Sequence, residues 1–413
     1  MNCVMSTVSC RSKIHNRFMV PLQRQDISLD VLDKAYIHGG KTMVSSRRDF
    51  MFGTLVAGAA FAMGGMTSRA FAAAPGKVKV VSLEECVSMT PRQMAESSAK
   101  VMDAWRYMKD SAGEIVNASL RGAVLDMLEN PAPRVAKNDE KALVAELKKA
   151  KLLEEKAAGI FPACAGADKA PQPSYSAPGS GWGSHHAYPG GLVTHVALNV
   201  ASAKALCDNY RTIFHMEVDR DVALASQLLH DVHKPWVFQW KDDASCLPEA
   251  SIAGTGAHHI LSVAESMNKG LPAEVCVAQA CAHDHPGTSA LEASVVNWIR
   301  AAAIIAGKDP VANGYLEKDG KTLPLPRRPE GFVTHLADHD WVLSVPAAQW
   351  LTAELKKIAA ERYNIRGKDL EGRVFNSFRN YVLSQRSAME LYNIYSKNGA
   401  SRLAEEVSRV VTA

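Results

Sequence analysis

The segment Asp219-Arg220-Asp221-Val222-Ala223-Leu224-Ala225-Ser226-Gln227-Leu228-Leu229-His230-Asp231 decides how this chain is read. Val222, Ala225, Leu228 and Leu229 recur at the spacing that lines one face of an α-helix, and Asp219 is suited to cap it through the free amides of the first turn. The pattern therefore predicts a helix that buries an apolar stripe and presents an imidazole and a carboxylate at its end. A His-Asp pair alone recurs by chance in 413 residues. Its surroundings give it meaning.

Working outward, twelve of the fourteen histidines lie between His185 and His339, a concentration that suits imidazole ligands for a transition metal. Eight of them fall in five ordered motifs: Tyr188-Pro189-Gly190-Gly191-Leu192-Val193-Thr194-His195, Leu228-Leu229-His230-Asp231-Val232-His233-Lys234, Ala257-His258-His259-Ile260, Ala282-His283-Asp284-His285-Pro286-Gly287 and Thr334-His335-Leu336-Ala337-Asp338. Over about residues 183–345 this series resembles the HD superfamily of metal-dependent phosphohydrolases. The first and last motifs are most similar to the HD-domain exoribonuclease type, with a looser similarity to HD-GYP phosphodiesterases.

The resemblance implies that His195, His230, Asp231 and Asp338 hold one metal ion, and that His259 and His283 bring a second, with Asp231 as the bridge. Imidazole and carboxylate donors suit one or two ions of Mn, Fe, Ni, Co or Zn, whereas a site for Mg alone would be mostly oxygen. No cysteine spacing fits a tetrahedral structural zinc. The sequence departs from the family pattern at His233, which stands where a glycine is usual, and at His283-Asp284-His285, where either histidine offers a ligand and position favours His283. His258 competes with His259 in the same way. Lys234, three residues after Asp231, is placed to stabilise a phosphate, and Asp284 to relay a proton. His185 and His186 read as polar residues of a glycine-rich loop near the mouth of the site, and His335 as a packed residue ahead of Asp338. Trp182, Tyr188, Trp236, Phe238 and Trp240 read first as core and second as a surface for stacking a base.

The implied activity is hydrolysis of a phosphoester, in a nucleotide, a small phosphorylated substrate or a short oligonucleotide, by a metal-activated water. The same ligand set also serves di-iron oxygenases, and an inert metal-holding sensor is a third reading. All three need the same cluster.

The fold expected is all-α: an HD-domain helical bundle over residues 184–346 with N-terminal (75–160) and C-terminal (347–413) helical extensions. Helical spacing covers residues 97–108, 113–128 and 141–157, interrupted at Asn130-Pro131-Ala132-Pro133. Residues 161–183 are dense in Pro, Gly, Ser and Ala and read as a linker, with further loops at 239–248 and 307–331.

Hydrophobic residues make up 47% of the chain, as in a globular protein. The formal charge of +4 comes from the N-terminus: residues 1–72 carry nine Lys/Arg against four Asp/Glu, leaving 38 against 39. The body therefore has no global basic field to hold nucleic acid. Ser46-Arg47-Arg48-Asp49-Phe50-Met51, the Gly/Ala-rich apolar run that follows and Ala70-Phe71-Ala72 read together as a twin-arginine signal over residues 43–74. That places the mature protein in the periplasm or otherwise outside the cytoplasm, with the twin-arginine machinery as a partner. The run is shorter than the roughly 18 residues a membrane span needs, so no stable anchor is expected. Residues 1–42 are expected to be a non-native extension, with Met43 at the natural start. Six cysteines follow the signal, and an oxidising compartment permits bridges among them, although Cys276 and Cys281 are too far apart along one helix to pair. Replacing Arg47 and Arg48 together by lysine should leave the precursor uncleaved in the cytoplasm. Cell fractionation checks this, and unchanged export would exclude the route.

Overall fold

Side chains at helix starts do much of the local work. Ser82, Thr90, Ser98, Asn117, Asp139, Asp219 and Thr288 each turn an oxygen onto an amide of the following first turn, satisfying donors that the helix itself leaves free. The structure, a computed structural model, describes residues 77–413. The twin-arginine segment and the extension before it lie outside the described residues.

The described chain is all-α, a helical bundle with four two-residue strands. In order it comprises β1 (Val81–Ser82), α1 (Leu83–Ser88), α2 (Pro91–Glu96), α3 (Ala99–Gly113), α4 (Ala118–Glu129), α5 (Glu140–Lys149), α6 (Gly191–Phe214), α7 (Arg220–Leu229), α8 (Lys234–Val237), β2 (Ser251–Ile252), β3 (Thr255–Gly256), α9 (Ala257–Lys269), α10 (Ala273–Ala280), α11 (Ser289–Ala306), α12 (Pro329–Ala337), α13 (Trp341–Arg362), α14 (Arg373–Arg386), α15 (Ala388–Ser408) and β4 (Val411–Thr412). β2 and β3 form an antiparallel turn, and β1 pairs with β4 in parallel, Val81 opposite Val411, tying the start of the described chain to its end.

Two helices begin or end away from where the apolar spacing places them. The span read as 113–128 starts only at Ala118, because Gly113 closes α3 and Asn117 caps the next helix. The span read as 141–157 stops at Lys149: Lys151 takes a left-handed backbone (φ 59°) and the Leu152 amide turns back to the Leu147 carbonyl at 2.9 Å. Leu152 and Leu153 are buried, so the apolar period continues after the helix has ended.

The long helix α6 is central, packed on α3, α7 and α12, and α9 lies against α11. One core joins side chains of the N-terminal helices, such as Val101, Trp105 and Val124, to those of α6, α7, α9 and α11. Among the described residues α11 is the helix long and apolar enough to cross a membrane, but more than half of it is buried in this core. The segment 161–183 is strapped to the bundle: Ser174 donates to the Leu128 carbonyl, Gln172 to those of Pro235 and Phe238, and the Trp240 indole to Ser176. The six described cysteines are free thiols, so no bridge forms among them; burial pushes those of Cys86, Cys276 and Cys281 up to about 12.

A second core gathers α13, α14 and α15, and α14 buttresses the loop leading into α6. The buried Arg379 donates to the Ala187 carbonyl at 2.7 Å, and Ser384 to that of Pro189 at 2.8 Å. Gly190 completes that loop with φ 87°, and a Cβ there would meet the Val101 side chain at 2.4 Å. Gly190→Ala should therefore cost about 1–3 kcal/mol of stability in urea denaturation, from left-handed strain and the collision. Gly122→Ala, in α4 with no heavy atom within 4 Å, should stabilise by about 0.5–1 kcal/mol.

Candidate metal centre

The functional side chains gather because several helices end at one place. Gly190-Gly191 starts α6 so that His195 falls in its second turn, His230 caps the end of α7 with Asp231 following, and Asp338 caps the end of α12. All four are buried. His195 Nε2 lies 3.3 Å from Asp231 Oδ2 and 3.0 Å from Asp338 Oδ1, and His230 Nε2 lies 3.2 Å from each of the same two oxygens. Donors about 2.1 Å from a common ion stand about 3.0–3.4 Å apart at octahedral to tetrahedral angles. Each imidazole thus stands at the spacing of neighbouring donors from both carboxylates, and His195, His230 and Asp231 together form a group that could hold one cation, with Asp338 against both imidazoles.

Asp231 also faces a second group. His258 Nε2, from the first turn of α9, is 3.5 Å from Asp231 Oδ1, and His283, in the turn after α10, brings a third donor within 4.8 Å of both. Asp231 thus offers one oxygen to each side, as a bridging carboxylate does.

Around these groups, partners on Nδ1 orient the rings, and for His195, His230 and His258 an acceptor sets the tautomer. His195 Nδ1 is 3.1 Å from Asp340 Oδ1, His230 Nδ1 is 2.7 Å from the Gln227 carbonyl, His258 Nδ1 is 2.6 Å from Glu249 Oε2, and His283 Nδ1 is 3.0 Å from the Thr255 hydroxyl. With the proton on Nδ1, each Nε2 keeps its lone pair free for a metal. Asn199 agrees with this, since its amide donates to Asp338 Oδ1 at 2.7 Å and lies 3.1 Å from His195 Nε2. His230 Nε2 and both oxygens of Asp231 are buried without a hydrogen bond of proper geometry, though they sit at ion-pair distance from one another. Buried lone pairs of this kind are costly unless something accepts them, and a divalent cation does.

The electrostatics lead the same way. Burial alone would lower the His230 imidazole, but the neighbouring carboxylates of Asp231 and Asp338 push it up to about 9, and those of Asp231, Asp338 and Asp340 hold His195 well above its usual range. Burial would raise Asp231 and Asp338, yet the adjoining imidazoles, with Lys234 beside Asp231, hold both carboxyls well below the usual range. The cluster demands positive charge, which protons supply when no metal does.

Of the residues singled out in the sequence, the structure brings together His195, His230, Asp231, Asp338 and His283. His259 stays outside and His258 stands in its place. His259 spends Nε2 on the Ala280 carbonyl at 3.1 Å and stacks on His283 with ring centres 4.2 Å apart, while burial, with His258 adding, pushes its imidazole down to about 3. Consecutive residues of a helix point about 100° apart, so only one of the two can face Asp231. Lys234 is buried beside the cluster, its ammonium 2.5 Å from Asp231 Oδ2 and 2.5 Å from the Gly179 carbonyl. Asp284 is half-buried in the rim, accepting from the His285 amide, and belongs to none of the donor groups. His233 turns away, 3.3 Å from Glu265 and edge-on to Trp236. Sequence reading missed Asp340, Asn199 and Glu249. Asn199, one turn after His195 on the same helix face, carried the one available signal.

No family model matches the chain, and no solved structure matches it. Among curated proteins, a dihydroneopterin 2',3'-cyclic phosphate phosphodiesterase from Methanocaldococcus jannaschii is 33% identical over 125 residues, covering 28% of this chain and 46% of that protein. The chain thus spans about half the length of the curated relative it matches. It is similar to a phosphodiesterase, and its buried His/Asp cluster fits a metal-dependent phosphohydrolase.

Proposed function

We propose that this protein is an exported, metal-dependent hydrolase of phosphodiesters, cyclic ones included. The observation that carries the reading is the buried group of His195, His230 and Asp231, with Asp338 against both imidazoles, beside a second group that shares Asp231. Similarity to a cyclic-phosphate phosphodiesterase supports the ester class. The cluster would hold one or two transition-metal ions, which when bound supply Lewis acidity and a water acidified to near-neutral pH.

The chain's own residues do the rest. Asp340, Gln227, Glu249 and Thr255 keep the Nε2 lone pairs aimed inward, so little reorganisation is left at the moment of reaction. Lys234, tethered by the Gly179 carbonyl, holds a positive charge beside Asp231 that favours an anionic ester and offsets charge on the departing oxygen. Half-burial of His283, Asp284, His285 and His335 supports approach of the substrate from that side, with Asp284 in the role of exchanging a proton with solvent. Folding before export, which the Arg47-Arg48 pair implies, lets the centre be loaded in the cytoplasm and carried out intact.

The purified mature protein should contain tightly held transition metal and cleave bis(p-nitrophenyl) phosphate. In a folded His230→Ala, Asp231→Ala variant, elemental analysis should show that metal lost and turnover reduced by at least roughly 10²–10³-fold. Unchanged metal content in that variant would end the reading, and oxygen uptake by the iron-loaded protein without ester cleavage would replace it with an oxygenase. His258→Ala should lower the metal stoichiometry while His259→Ala keeps it and lowers the unfolding midpoint. The reverse pattern would return His259 to the ligand set.

A further inference from the structure

On the far side of His195 from Asp231 lies a second concentration of donors. His185 and His186, from the loop before α6, gather with His195 and Asp340 so that one donor atom of each lies within 4.8 Å of the others. His186 Nε2 is 2.7 Å from Asp340 Oδ2, and the ring centres of His185 and His186 are 5.0 and 5.5 Å from that of His195. His185 Nδ1 is buried with no hydrogen-bond partner.

We propose that His185, His186 and Asp340 hold a further divalent transition-metal ion next to the primary centre. This rests on the reading of His195, His230, Asp231 and Asp338 as that centre. His195 stays on the primary side through Nε2, and its Nδ1–H continues to donate to Asp340 Oδ1. Asp340 is then shared, one oxygen orienting His195 and the other joining His186.

Three considerations favour a metal over a plain polar contact. One donor atom from each of His185, His186, His195 and Asp340 lies within 4.8 Å of the others, close enough together for a single ion to be reached by more than one of them. A buried imidazole lone pair without a donor, as at His185 Nδ1, is costly unless a cation takes it up. His185 also stands against both other imidazoles, its ring centre 5.3 Å from that of His186 and 5.0 Å from that of His195. Two imidazoles and one carboxylate select the borderline ions, Zn, Co, Ni or Mn, over Mg or Ca. The loop is also held firmly: α14 fixes it through Arg379 on the Ala187 carbonyl and Ser384 on that of Pro189.

The test is a count of bound ions. Metal-free mature protein is reconstituted with Co²⁺ alone, unbound ion is removed, and cobalt per chain is measured in wild type, in His185→Ala with His186→Ala, and in His230→Ala with Asp231→Ala. The first variant should bind one equivalent fewer than wild type with the remaining cobalt spectrum preserved, and the second should retain that equivalent while losing the primary ions. An unchanged count in the first variant, or loss of all its cobalt, overturns the further site and leaves Asp340 as a positioning residue for His195. An unchanged count in the second variant overturns the primary centre instead, so the two failures are distinguishable. Should the alanine pair fail to fold, His185→Gln is the substitute, with the same loss expected and the same unchanged count overturning the proposal.

Discussion

Everything about this site follows from the burial of Asp231 among imidazoles. Its two oxygens face different groups, His195 and His230 on one side and His258 on the other, and neither has a hydrogen bond of good geometry to quieten it. A carboxylate taken out of water carries a desolvation cost of several kcal/mol, which opposite charge must offset. Lys234 supplies one such charge at 2.5 Å. The geometry around the rest suits divalent cations, and the bundle is arranged to bring donors to that single residue.

The fold meets this demand with helix ends rather than helix faces. His230 and Asp338 are capping positions, Asp231 lies one residue past a helix, His258 is in a first turn and His283 in a turn. Ends converge more readily than faces because several helices can point at one spot without their backbones colliding. Only His195 is offered from beyond the first turn of a helix, and the glycine pair at the start of α6 lets that helix begin close against the loop of His186. The C-terminal helices, which hold no ligand, contribute by bracing that loop through Arg379 and Ser384. Their influence reaches the centre through the backbone.

A layer of acceptors separates this cluster from a chance gathering of histidines. Asp340, Glu249 and the Gln227 carbonyl each take an Nδ1 proton, so the inward nitrogens of His195, His258 and His230 share one tautomer, and the Thr255 hydroxyl holds the His283 ring. These partners come from four different parts of the chain. Their common role is visible only in three dimensions.

The all-α class, the starts of α3, α5 and α7 to within two residues and the order of the His and Asp motifs were legible in the sequence, because helical periodicity, capping side chains and motif order are local properties of the chain. His195, His230, Asp231, Asp338 and His283 could be named because each sits in a distinctive short motif. The choice of His258 over His259 could not, since adjacent histidines on a helix differ only in which way a 100° step turns them, and that depends on how α9 is rolled against α11. Asp340 was hidden for a related reason: its partners, His186 and His195, lie 154 and 145 residues earlier in the chain. Composition and local pattern determined by themselves that a metal-seeking cluster sits in a helical protein. Only tertiary packing decided which lone pairs face it, because the direction of a side chain is set by what its helix is pressed against.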